Sequence, residues 1–395
     1  MLKLFQKLQT SDFITRLENK DGRFVVQDSM SMAFIANSLF IKKPRKILIN
    51  CPNLYQAQDV YEHLINLLGD ENLLFFPQDE VFRIDINASS KEMLSQRLYV
   101  MEEALRDKPK VLITHSASLT RLLPPVELFR SHIISLEVGQ SYNIKEIINK
   151  LTKQGYVRVN KIDGKLQYAL RGDILDISPI DFDNPFRIEF FDDEIESIRF
   201  FDISSQLSNE EVNKVNIYPA SDILLTKEEK EKTKSILLGE VEKCKKSLEV
   251  EYYLTLKEQI ESEISDINEN GINESFYKYL SLIQEEKTSI NDYFQAEISL
   301  CFDKNQCYTS FDFLNEQAYA YFSELHKVGR ALSHYEFFNN INDVLSSCNN
   351  MIYTYANYEN KDDLELPLRT IPEVASNIFQ AIENIKKLEK QKKMV

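Results

Sequence analysis

Apolar positions along the chain change their period twice, and the changes divide it. Through the first 128 residues short apolar bursts alternate with stretches of helical spacing. Residues 24–26, 46–49, 72–76 and 110–114 read as buried strands, and residues 30–40, 55–68 and 91–105 as helices between them. Gly69 is the expected C-cap of the second helix, and Pro52 and Pro77 stop their strands. Alternation of this kind predicts a parallel sheet covered on both faces. After Phe129 a helix over 144–153 ends at Gly155, and a dense β region follows to about residue 217. Strands are expected over 156–162, 165–171, 173–177, 186–191 and 195–201, with Gly164, Gly172, Pro179, Pro185 and Asp192-Asp193 as turns. From residue 226 to about 267 the pattern is helical and highly charged. Beyond it stand the apolar burst Ile298-Ser299-Leu300-Cys301-Phe302, a helical segment whose core should include Tyr319, Tyr321 and Phe322, and a strand over 351–355. A polar linker at 357–363 and a Lys-rich helix at 386–393 complete the pattern.

Composition narrows the class. The 395 residues are 43% hydrophobic and 28% charged, ordinary globular values that exclude wholesale disorder, and the length predicts two or three domains. The net charge of −15 lies mostly after residue 218. No segment is basic enough to hold DNA by phosphate neutralisation alone. The five cysteines are scattered and odd in number, with no C-x2-C pair, which predicts reduced, buried thiols. The first 13 residues read as a helix opening instead of a signal peptide, and no run of 18 apolar residues could span a membrane. A cytoplasmic protein is expected.

A parallel α/β domain invites a search for nucleotide chemistry. A phosphate loop needs glycines so that backbone N–H groups can wrap the phosphates, and a Lys for the terminal oxygens. The stretch after the first strand reads Gln27-Asp28-Ser29-Met30-Ser31-Met32-Ala33, with no Gly and no Lys, and Asp28 would repel phosphate. An acidic pair should also close a later strand to hold Mg²⁺. Here Asp303 follows the burst at 298–302, but Lys304 stands where the second acid is needed. Asp28, Ser29, Ser31, Asp303 and Lys304 therefore outline an ATPase-like frame without its chemistry. The five histidines have no metal-ligand spacing, and no catalytic constellation or metal site emerges.

The β region carries a different signal. In Phe186-Arg187-Ile188-Glu189-Phe190-Phe191 the two-residue period puts Arg187, Glu189 and Phe191 on one face. Arg171 ends its own strand on the face opposite Leu170. Arginines beside a large aromatic on a polar face have the composition of a protein–protein hot spot. The plainer alternative is a solvated face with an Arg–Glu cross-strand pair and Phe191 tucked under a loop.

The same residues carry a resemblance. Arg171-Gly172-Asp173-Ile174-Leu175-Asp176-Ile177-Ser178-Pro179, followed by Pro185 through Arg199, resembles a signature shared by two bacterial nucleotide-excision-repair families, UvrB and the transcription-repair coupling factors (Mfd). Phe201-Asp202-Ile203-Ser204-Ser205-Gln206-Leu207-Ser208, the Phe76-Pro77 stretch with Glu80 and Arg97, and the missing phosphate loop favour the coupling factors. Ser178 stands where the family usually has Phe, and Leu207 where it has Arg. The resemblance implies a degenerate P-loop-ATPase-like parallel α/β domain, discontinuous over residues 1–126 and 219–345. A sheet-rich α+β domain, the UvrA-binding domain, would be inserted at 127–218, and residues 346–395 would open a third domain. It implies no nucleotide cofactor for this chain, although the full-length family is an ATP-dependent DNA translocase. UvrA is the implied partner, through Arg171, Arg187 and Phe191. RNA polymerase and double-stranded DNA would be met only through parts that this chain, read as a fragment or truncated reading frame, lacks. The alternative function is a UvrB-type ATP-dependent damage-recognition or helicase subunit.

Overall fold

The computed structural model describes residues 12–78, 91–179, 184–270 and 274–366, together with 382 and 386. Glu80, most of the first 13 residues and the expected helix at 386–393, apart from Lys386, lie outside them.

The chain enters through helix α1 (Asp12–Glu18) and alternates β1 (Phe24–Val25), α2 (Ser29–Lys42), β2 (Ile47–Cys51), α3 (Leu54–Leu68), β3 (Leu73–Phe75), α4 (Lys91–Ala104), β4 (Val111–His115) and α5 (Ser116–Leu119). It leaves this body through α6 (Val126–Ser131) and builds β5 (Ile134–Glu137), α7 (Ile144–Lys153), β6 (Val157–Arg158), β7 (Gln167–Arg171), β8 (Ile174–Ser178), β9 (Phe186–Phe191), β10 (Glu194–Phe201), β11 (Ser208–Glu211) and β12 (Lys214–Ile217). The charged stretch forms α8 (Lys227–Cys244) and α9 (Val250–Asn270), followed by short α10 (Leu280–Ile283) and α11 (Ile290–Phe294). The last stretch contributes β13 (Ile298–Cys301), α12 (Lys304–Lys327), α13 (Ile341–Ser347), β14 (Met351–Tyr355) and β15 (Leu364–Glu365).

Seven strands make one sheet in the order β15-β1-β14-β13-β2-β4-β3, with every pairing parallel. Alternation within β2 shows how its two faces are covered. Ile47, Ile49 and Cys51 pack with Met32 and Ala36 of α2 and Ala57 and Val60 of α3. Leu48 faces the opposite core, with Leu98 and Met101 of α4, Phe294 of α11 and Phe311 and Phe322 of α12. Both faces are buried, so β2 and β4 are buried at every position and mostly apolar.

Three expectations are corrected here. The strand Met351–Tyr355, which the sequence suggests as part of a third domain, lies inside the α/β sheet between β1 and β13. The expected polar linker at 357–363 is a turn that returns the chain to the sheet edge. The Asp363 carboxylate accepts from the Glu359 and Asn360 N–H groups and from Arg23, and β15 then pairs with β1. Polar residues there satisfy one another locally, a contact that composition does not reveal. Tyr319 is also corrected. Phe322 is buried and Tyr321 partly so, but Tyr319 is 67% exposed on the outer side of α12.

The inserted region forms a six-stranded sheet, β11-β10-β9-β8-β7-β6, and a two-stranded ribbon of β12 with β5. Tyr168, Leu175, Ile177, Phe186, Ile188 and Phe190 point into a core of their own, closed by Ile147 and Leu151 of α7 and by Ile134 and Val215 of the ribbon. The ribbon was not foreseen: β5 is only four residues long and its alternation is brief. All five cysteines are free and buried. Among the described residues no helix is long and apolar enough to cross a membrane.

Candidate partner-binding surface and the expected nucleotide site

Two antiparallel hairpins set the surface. β7 turns through Gly172-Asp173 into β8, and β9 turns through Asp192-Asp193 into β10, so both tips lie at one end of the sheet. Gly172 sits at φ +60°, a left-handed conformation that glycine adopts without strain, and Asp192 at φ +55° takes the same region at the second tip. Register pairs Arg171 with Ile174, Asp176 with Arg187, and Ile174 with Glu189. Arg171, Ile174, Asp176, Arg187, Glu189 and Phe191 therefore share the face opposite the core.

The three expected contact residues share this face but not one environment. Phe191 stands at the second tip with 72% of its surface exposed, and Arg171 is 53% exposed at the first. Arg187 is only 18% exposed. Its Nε donates to Asp176 Oδ1 at 2.7 Å, a second guanidinium nitrogen donates to Oδ2 at 3.0 Å, and the group lies 4.6 Å over the Phe201 ring. Asp176 is 2% exposed and also lies 3.6 Å from Arg171. Its hydrogen bond, partly offset by burial, raises the pKa of Arg187. Phe201 packs beneath with Ile162 and Ala169 in a small apolar cluster on this otherwise polar face.

Of the solvated-face alternative, the Arg–Glu cross-strand pair is present between β9 and β10, while Phe191 departs from it. Glu189 pairs with Arg199 at 3.1 Å and accepts from Ser197, whereas Arg187 pairs with Asp176. Among the described residues Phe191 lies under no loop and is exposed. Ile174 and Asp176 are members of this face that the sequence reading passed over. Ile174 is a large apolar side chain left part-exposed one strand from Phe191. The available signal was the same two-residue alternation, applied to β8 as well as β9.

The residues expected to outline a degenerate nucleotide site lie elsewhere, at the carboxyl ends of the strands in the α/β sheet. Asp28 caps α2: its Oδ1 accepts from the Ser31 N–H at 2.7 Å and its Oδ2 from the Ser31 hydroxyl at 3.0 Å. A carboxylate thus already holds the helix N-terminus at which a phosphate would have to bind, and Ser29 is buried beside it. Asp303, one strand away past β14, is the cap of α12 in a left-handed conformation. Its N–H donates to Thr354 Oγ1 at 3.2 Å and its side chain accepts from the Gln306 N–H. Lys304 lays its ammonium over the Tyr353 ring at 4.5 Å. Asp28, Ser31, Asp303 and Lys304 are each engaged in local structure, and among the described residues no cluster of three or more ligating side chains could hold a metal ion.

Where the inserted region rejoins the body, Asp222 is fully buried between two arginines. Arg97 Nε donates to its Oδ2 at 2.8 Å and Arg121 Nε to the same oxygen at 3.0 Å, with Arg121 stacked 4.1 Å over Tyr277. Burial alone would raise the Asp222 pKa, but Arg121 and Arg97 outweigh it and hold the carboxyl well below the usual range. His115 is buried at the end of β4, where its Nε2 accepts from the Gln78 N–H.

Residues 134–222 match the family model of the UvrB interaction domain. This span opens at β5 and closes on Asp222, so the match falls on the inserted module. The chain is also similar to transcription-repair-coupling factors. That of Bacillus subtilis (strain 168) is 32% identical over 264 residues, 66% of this chain and 22% of the relative. Those of Staphylococcus epidermidis (strain ATCC 35984) and Staphylococcus aureus (strain MRSA252) are each 28% identical, over 69% and 67% of this chain and 23% of each relative. The matched stretch thus spans under a quarter of each of these relatives. The resemblance carried by the residues from Arg171 to Arg199 is shown by these matches.

Proposed function

We propose that this chain is a non-catalytic, UvrA-recruiting module that serves nucleotide excision repair as part of a transcription-repair coupling factor. The observation that carries this reading is the single sheet face bearing Arg171, Arg187 and the exposed Phe191, within the module that matches the UvrB interaction domain. The arginines would make charge-assisted hydrogen bonds to carboxylates of UvrA, and the Phe191 ring would fill an apolar pocket. The self-capped α2, with Asp28 at its N-terminus, supports the absence of a nucleotide cofactor from this role.

The test is titration of the cognate UvrA against the full chain and against Arg171→Ala, Arg187→Ala and Phe191→Ala. Each substitution is expected to weaken binding by more than about 1 kcal/mol. The thermal unfolding curve stays in place for the exposed Arg171→Ala and Phe191→Ala, whereas Arg187→Ala lowers it by leaving the buried Asp176 carboxylate without its bidentate partner. Fluorescent-nucleotide titration of the same sample should give no signal. Wild-type affinity in the triple variant removes the assignment, and nucleotide binding without UvrA capture would favour a UvrB-type ATPase.

A further inference from the structure

We infer that Asp176 is a positioning residue for this surface, holding Arg187 and Arg171 in the orientation in which they meet the partner. The inference rests on the function proposed above and extends it beneath the contact residues.

Asp176 is almost fully buried, yet it lies on the polar face of the sheet, and both of its carboxylate oxygens are spent on arginines. The bidentate pair fixes the guanidinium plane of Arg187, and Phe201 supports that plane from one side. A buried carboxylate paired in this way, beside an exposed Arg171 and next to a hairpin tip, is placed to pre-order a contact patch before binding. A flexible arginine would lose side-chain entropy on association, and one already held does not.

Charge and orientation make opposite predictions here, which separates the two roles. Asp176 partly cancels the two arginines, so removing its charge strengthens the positive potential that an acidic partner meets. Were Asp176 merely a local counter-charge, Asp176→Asn would leave UvrA binding unchanged or tighter. As a positioning residue, Asp176→Asn weakens binding by about tenfold or more. In the Arg171→Ala/Arg187→Ala background the same substitution then changes nothing further, because nothing remains to position.

Arg187→Lys supplies the second reading should Asp176→Asn fail to fold. It keeps the charge, but an ammonium cannot match the carboxylate through two parallel bonds or stack on Phe201 as a guanidinium does. Positioning predicts that Arg187→Lys binds as weakly as Arg187→Ala, and near wild-type affinity in Arg187→Lys overturns it. Unchanged or tighter binding by a folded Asp176→Asn also overturns it, as does an additive loss in the double-arginine background. If instead the Arg171→Ala/Arg187→Ala/Phe191→Ala chain binds UvrA like the wild type, the proposed function fails and Asp176 has no such surface to position.

Discussion

Asp222 shows at the scale of one side chain how the two parts of the molecule are joined. Its carboxylate lies where the matched module ends, buried between Arg97 of α4 and Arg121 beyond α5. Removing one member of such a cluster leaves uncompensated buried charge, so Asp222→Asn should destabilise the protein by about 3–5 kcal/mol in urea titration. The pH dependence follows from the depressed pKa. In the unfolded chain Asp222 takes up a proton near its ordinary value of about 4, and in the folded chain it resists protonation to a lower pH. Its stabilising contribution is therefore complete above that ordinary value and is lost as pH falls through the folded value. Thermal midpoints measured from pH 7 down to 3 should fall less steeply for Asp222→Asn than for the wild type. Neither arginine could be assigned to Asp222 from sequence, since more than 100 residues separate Asp222 from each. By contrast, Arg171, Arg187 and Phe191 could be placed on one face, because alternation along a strand is a local rule.

The helices and strands themselves were largely legible. α7 begins and ends where its spacing and Gly155 predict, β9 spans the six residues of its motif, and α3 ends at Gly69 with a positive φ of +77°. Close packing between elements was not legible, and Gly329 is the sharpest case. It ends α12 at φ +70°, and a Cβ there would lie 2.3 Å from the Tyr252 carbonyl oxygen at the start of α9. Gly329→Ala should therefore destabilise by more than about 1 kcal/mol, from both the backbone conformation and the clash. Equilibrium denaturation would show it, and an unchanged midpoint would mean that α9 and α12 yield to each other freely. The ribbon of β5 with β12 is the converse case: two four-residue strands 77 positions apart give no usable period, and only their pairing makes them strands.

Across the whole molecule, the order of the parallel sheet brings late chain into an early core. β14 separates β1 from β13 and β15 closes the edge beside β1, so the α/β body is not complete until residue 365. A chain ending at residue 345 should expose the hydrogen-bonding edges of β1 and β13, and is expected to be proteolysed rapidly and to lose cooperative unfolding. Protease resistance equal to that of the full chain would show that β14 is dispensable. By itself the sequence determined the local features: the class of each segment, the change from parallel α/β to antiparallel texture near residue 130, a stretch after β1 without the Gly and Lys of a phosphate loop, and the Arg–Phe face. All of these follow from composition and periodicity over a few residues. Tertiary structure alone decided which strand lies beside which, that Asp176 holds Arg187, and that Asp222 joins the inserted module to the body. Those outcomes depend on contacts between distant segments, where burial and the pairing of charge select partners that no local pattern encodes.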